Sequence, residues 1–193
     1  MTTRDTAQAG NADRSRQAVS PVPLVEAMPS SLLEEPLAYI FADHFRQRKI
    51  CPALRRFAMA GRVDHREAEA VAAFLKHDVA LNHEDEQKDL FPAVQRRALQ
   101  QDNLAVVLAR LLKDHRLAEP VIGQIVAELS CQPSKMVRVS PAARELMQSY
   151  ASTESGHLAI ENGIVLALAR IRLTKSDLDS MTSGMKARRS VAH

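Results

Sequence analysis

Tryptophan is missing from this chain, and aromatic residues of every kind make up only 4% of its 193 residues. A core so poor in rings has to be built from Leu, Ile, Val and Ala, which favours helices over strands. Cysteine is scarce too, with Cys51 and Cys131 alone. Two thiols, together with a polar N-terminal stretch (1–20) that holds no signal-like apolar run, lead us to expect a reducing cytoplasm and no disulfide. No stretch approaches the ~18 apolar residues of a membrane-spanning helix, so a membrane is not an expected partner. Charge excess is small: the formal net charge of +3 is too slight to point to nucleic acid without a concentrated basic face. The basic run Arg46, Arg48, Lys49, Arg55 and Arg56 has a solvated helix face as its default reading.

What is present is the ordinary mix of a globular protein, 46% hydrophobic and 25% charged, with enough length for one domain that has a real core. Residues 1–30, rich in Ala, Ser, Thr, Arg and Pro, lack a helical apolar period and are expected to be a disordered tail. From Ser31 the pattern becomes helical. The first helix is expected over about 32–60, with Pro52 inside it predicting a kink or bulge near Arg48 and Gly61 ending it. The second follows an Asp64 N-cap, and its stripe holds Val71, Leu75, Asn82, Glu86 and Leu90. The third starts near Asp102 or Asn103 and runs through Leu104, Leu108, Leu111, His115, Ala118, Ile122, Ile125 and Leu129. Residues 131–139 read as a loop. Ser140 and Pro141 open a fourth helix carrying Tyr150, Thr153, His157, Glu161, Ile164 and Leu168. No strand pattern competes. Four long helices with short connections predict an all-α, up-down-up-down four-helix bundle over 31–174, followed by a flexible basic tail over 175–193.

Four histidines, His44, His83, His115 and His157, fall on four different predicted helices. Two of those helices add a carboxylate: Glu86 lies three residues after His83, and Glu161 four after His157. An ionised carboxylate buried without a partner costs several kcal/mol or takes up a proton. A metal ion relieves that cost for the whole set at once, so these six residues are the candidate ligands. A His and Glu at i and i+4 lie about 40° apart around a helix and can face one ion. Mixed nitrogen and oxygen donors suit non-haem iron, with manganese as the alternative, better than a thiolate-rich structural zinc site. His65, His77 and His193 are expected to stay outside the site. Tyr150 is either a hydrogen-bond donor beside the site or a core aromatic. Cys51, two turns after His44, is read as a small buried hydrophobe.

At these residues the chain resembles the hemerythrin-like (HHE cation-binding) family. The matching pieces are ADHFRQRKIC (42–51), NHEDEQKDLFP (82–92), DH (114–115) and HLAIENGIVLALAR (157–170), in the order and spacing of a bundle. The resemblance implies that His44, His83, His115 and His157 are terminal ligands and that Glu86 and Glu161 bridge two irons. The family's helix-two motif is approximately His-His-x-x-Glu-Glu-x-x-Leu-Phe-Pro. Here its first His is Asn82, and its second Glu is Gln87, a position that need not face the metal. Two irons are expected, but an amide oxygen is a weak neutral ligand, so the iron nearest His44 could be labile or absent, which would leave one.

Three functions compete at this point. A binding or sensing protein would take dioxygen, nitric oxide, peroxide or iron itself, with a regulatory protein partner reading out its state. Asn82 tilts this reading away from reversible oxygen carriage and towards a stress or redox response. A di-iron oxidoreductase acting on peroxide or NO would further need a substrate path and a proton donor. A metal-free helical interaction module is the third, and the five retained residues His83, Glu86, His115, His157 and Glu161 count against it.

Overall fold

The computed structural model describes residues 25–131 and 135–191. A single 3₁₀ turn, Ser30–Glu34, leads into helix α1, Pro36–Ala60, whose first position is the proline. Proline suits that place because its missing N–H would be unsatisfied there anyway. The α1 helix stays α-helical through Pro52; the wide turns anticipated there fall in other helices. Gly61 ends it at φ +64°, a conformation in which a side chain would be strained and, here, would collide with the Arg144 guanidinium.

Helix α2 spans 65–97. The Asp64 carboxylate accepts from the Arg66 N–H at 3.0 Å and caps its start. Two wide π turns interrupt it, Phe74–Asp78 and Glu86–Leu90. Helix α3, Leu104–Ser130, follows Asn103, which adopts the left-handed conformation at φ 47°. Helix α4 covers 141–172, capped by Ser140 Oγ accepting from Ala143 N–H at 3.3 Å, and it contains a third π turn, Glu161–Val165. The short connections between α1 and α4 produce the all-α, up-down-up-down bundle that the helical periods predict.

Two features depart from expectation. The segment over 131–139 contains a strand: β2, Met136–Arg138, pairs antiparallel with β1, Arg62–Asp64, in the register Arg62↔Arg138, Val63↔Val137 and Asp64↔Met136. Val63 and Val137 are buried beneath this ribbon, which ties the α1–α2 connection to the α3–α4 connection at one end of the bundle. Three residues are too few to show an alternating pattern, and the partner is remote in sequence. The second departure is the C-terminus. The expected flexible tail over 175–193 forms helix α5, Lys175–Val191. Thr174 and Asp177 cap it reciprocally: Asp177 Oδ2 accepts from Thr174 N–H at 2.9 Å, and Thr174 Oγ1 accepts from Asp177 N–H at 3.3 Å. Met181 and Met185, four apart, are buried against the bundle. The basic residues pair inward, with Arg188 Nε 2.8 Å and Arg189 Nη2 2.7 Å from the two oxygens of buried Asp85. Of the expected N-terminal tail, residues 1–24 lie outside the described residues, while Val25 and Met28 pack against the core.

The core is split in two. One aliphatic cluster, around Leu54, Phe57, Leu75, Ile125 and Met147, fills one end of the bundle. A second, around Ile40, Leu90, Leu111, Leu166 and Met185, fills the other. Between them the same four helices bury a polar layer: His44 and Gln47 on α1, Asn82 and Glu86 on α2, His115 on α3, and Glu154, His157 and Glu161 on α4. A polar layer at mid-height is expensive unless something satisfies it.

Candidate metal centre

Each helix brings its contribution to this layer from the middle of its length, where the backbone is held by packing on both sides. The two carboxylates enter at wide turns, since π segments begin at Glu86 and at Glu161. A wide turn adds a residue to one helical turn and re-aims the side chains around it, which is why such turns gather at functional sites. Asn162 bonds back into the preceding turn: its Nδ2 donates to Leu158 O at 2.8 Å, a carbonyl that the Glu161 N–H also reaches.

The opposite end of the same amide, Asn162 Oδ1, lies 3.1 Å from His44 Nδ1. It accepts the Nδ1–H and so turns His44 Nε2 towards the layer. That Nε2 is 2.7 Å from Glu86 Oε1 and 3.4 Å from Glu161 Oε2. On the other side, His115 Nε2 lies 3.3 Å from Glu86 Oε2 and 3.9 Å from Glu161 Oε1. His157 Nε2 lies 3.3 Å from Glu161 Oε1. The two imidazoles face each other, Nε2 to Nε2, at 2.9 Å. Glu86, His115, His157 and Glu161 each offer a ligand atom within 4.8 Å of the others, and all four residues are buried.

Four of the six candidates thus converge, and His44 adjoins the same two glutamates. His83 is placed differently. It is only partly buried and stacks on His115, with ring centroids 3.9 Å apart and planes 13° from parallel. Asn82 does face the layer, its Nδ2 donating to Glu86 Oε1 at 2.6 Å. Gln87 sits at the surface, but its amide is 2.9 Å from His115 Nδ1, so it touches a candidate ligand after all. Cys51 donates to Gln47 O at 3.6 Å and stands outside the cluster.

The electrostatics describe a layer short of cations. Burial works against charge on His44, yet the Glu86 hydrogen bond and both carboxylates hold its pKa up at about 9. Burial, then the neighbouring His83, pushes His115 down to about 3, and burial likewise takes His83 to about 4. Burial and the Glu86 charge drive Glu161 well above the usual carboxylate range. Both oxygens of Glu161 and Oε2 of Glu86 are buried without a hydrogen-bond partner. Nitrogens and oxygens that converge on one volume, with three of the four carboxylate oxygens left unpartnered, are what a multivalent cation needs as donors, so the residues present fit a metal.

Sequence reasoning missed Gln47, Asn162 and Glu154 here. Asn162 directly follows Glu161, and nothing in the helical period marks it, because the wide turn is what brings it inward. Glu154 is one turn before His157, a Glu-x-x-His spacing that was legible, yet the stripe pointed to Thr153, which is exposed. Glu154 is buried, and burial raises its carboxyl to about 7. It lines a cavity of about 230 Å³ between α3 and α4, together with Tyr150, Asp114 and the three imidazoles of His83, His115 and His157.

Residues 35–169 match the family described as "Hemerythrin HHE cation binding domain". A comparison with curated proteins gave no match. No helix among the described residues is long and apolar enough to cross a membrane.

Proposed function

The chain belongs to the hemerythrin HHE cation-binding domain family, and from that premise we propose that it is a non-haem iron protein that binds or senses a small oxidant or diatomic gas, such as dioxygen or nitric oxide, or iron itself, in a stress or redox response. The observation that carries this reading is Glu161: a fully buried carboxylate with both oxygens unpartnered, surrounded by the Nε2 atoms of His44, His115 and His157. Nitrogen and carboxylate donors without thiolate favour iron, with manganese as the alternative.

In this reading His115, His157, Glu86 and Glu161 hold one ion with His83 beside them, and His44 with the same two glutamates holds a second. Iron supplies open coordination positions and one-electron chemistry when bound. The chain supplies the rest. Asn162 fixes the His44 tautomer, the Gln87 amide and Asp114 stand by the outer nitrogens of His115 and His157 at 2.9 and 3.5 Å, and an aliphatic cluster packs on either side of the layer. The His44 side lacks a second imidazole because Asn82 stands there, which supports an unequal pair with one labile ion. Unequal occupancy suits a sensor better than a reversible carrier. A regulatory protein partner and a reducing cytoplasm complete the reading; Cys51 and Cys131 are both free thiols.

Metal content per chain, measured by plasma mass spectrometry on protein purified without affinity nickel, tests it. Close to two irons supports the paired site, and about one supports a vacant His44 side. Protein that stays empty after anaerobic ferrous reconstitution overturns the reading in favour of a metal-free interaction module.

One observation favours a second reading, a di-iron oxidoreductase acting on peroxide or NO. The cavity beside the layer offers a substrate path, and Tyr150 and Glu154 offer exchangeable protons within it. Sustained turnover of either substrate by the iron-loaded protein separates this reading from a binder.

A further inference from the structure

The cavity between α3 and α4 has a chemical character that the metal layer does not require. An interior wall beside three imidazoles is most simply built from aliphatic residues, and Leu117, Ala118 and Val121 supply that on the α3 side. On the α4 side the wall includes a carboxylate, Glu154, only 4% exposed. Its Oε1 is buried without a hydrogen-bond partner. No described residue lining the cavity is a Lys or Arg, and the second acid there, Asp114, has Arg110 Nε 3.9 Å away on its outer side. Glu154 is therefore a buried acid that no Lys or Arg of the lining offsets, opposed only by the imidazoles of His157 and His44 in the layer, and it is set in the wall of the one described cavity that reaches His115 and His157.

Such a residue destabilises the fold relative to an apolar one of its size. It also acts on whatever enters. In an interior that screens poorly, one unit charge a few ångströms from a bound anion weakens its binding by an order of magnitude or more, while a neutral molecule is nearly indifferent to it. We propose that Glu154 sets the ligand specificity of this cavity, turning small anions away from the metal centre and leaving it to neutral ligands. This rests on the iron-binding reading above and sharpens it, because it separates neutral diatomics and neutral peroxide from anionic ligands of similar size.

Azide, a small anion, and nitric oxide, a neutral diatomic, are the probes. Their affinities are measured by absorbance titration on the full-length iron-loaded protein at pH 8, where the Glu154 carboxyl is ionised, after iron content has been determined. Glu154→Gln removes the charge and keeps the shape. It is expected to shift the ratio of azide to nitric oxide affinity towards azide by about tenfold or more. Thr153→Asp, at an exposed position on the cavity rim, adds a charge without touching the buried wall, and it is expected to shift the ratio the other way. An unchanged ratio in both variants overturns the proposal while leaving the iron-binding reading intact. So does a parallel change in both affinities, which would place the effect on the metal or the cavity volume and not on the charge. Wild-type protein that takes up no iron overturns both.

Discussion

Glu161 offers a test in which the sign of a stability change depends on metal. Its carboxylate is buried, neither oxygen has a hydrogen-bond partner, and Glu86 shares the layer. A buried polar group left unsatisfied costs about 1–3 kcal/mol, and more when charged. In metal-free protein, Glu161→Leu removes that penalty and should stabilise by about 1–3 kcal/mol, or roughly 2–12 °C in Tm for a chain of this size. Adding ferrous iron should reverse the order. A ligand that binds only the folded state stabilises by about 2.7 kcal/mol at ~100 times its Kd, which corresponds to a rise of roughly 5–11 °C for wild type. The leucine variant should show almost none of that rise. Anaerobic thermal unfolding followed by circular dichroism, with and without iron and with chelator as control, reads both effects. A leucine variant that is less stable than wild type without metal, and that gains as much from iron, refutes the claim that Glu161 is held in the layer for a cation.

The remaining predictions concern single positions. His115→Ala should abolish iron binding by plasma mass spectrometry, whereas His65→Ala and His77→Ala, whose side chains are absent from the convergent group, should leave iron content unchanged. Asn82→His should raise occupancy towards two irons per chain, because position 82 is buried and within 2.6 Å of Glu86 Oε1; equal iron content in both proteins refutes a vacancy on the His44 side. Asn162→Leu should lower the affinity of the more weakly held ion by about 10–100-fold, the usual effect of losing a partner of a ligating histidine, as read by ferrous titration. Met185→Ala, at a fully buried α5 position, should cost about 2–5 kcal/mol in chemical denaturation; a cost under about 0.5 kcal/mol, the range of surface substitutions, would return α5 to the status of a loose tail.

The difference between legible and illegible features follows from the range of the interactions involved. Helical periods, the Asp64 cap and the Ser140–Pro141 cap are local, each set by residues within a turn or two of one another, so the sequence by itself determined an all-α bundle and the starts of α2, α3 and α4, while α1 begins at Pro36 after a separate 3₁₀ turn. It also determined which polar residues a bundle core would have to bury, because His44, Glu86, His115, His157 and Glu161 interrupt apolar stripes at matching heights. Other features were decided only by the tertiary structure. The β1–β2 ribbon joins residues more than seventy positions apart. The α5 helix has only a sparse stripe of Leu178, Met181 and Met185, and its arginines look solvated until Asp85 and Asp89 of α2 are brought beneath them. The π turns at Glu86 and Glu161 break the 3.6-residue period itself, so Asn162 turns inward where a regular helix points it elsewhere; Glu154 lies in the regular part of α4 and keeps the helical spacing of Met147, Tyr150, His157 and Glu161, so it was legible and was passed over for Thr153. His83 shows the reverse case: its place in the motif suggests a ligand, while packing stacks its ring on His115. A helical period predicts which face of a helix is buried, but what a side chain on that face meets is set by three other helices.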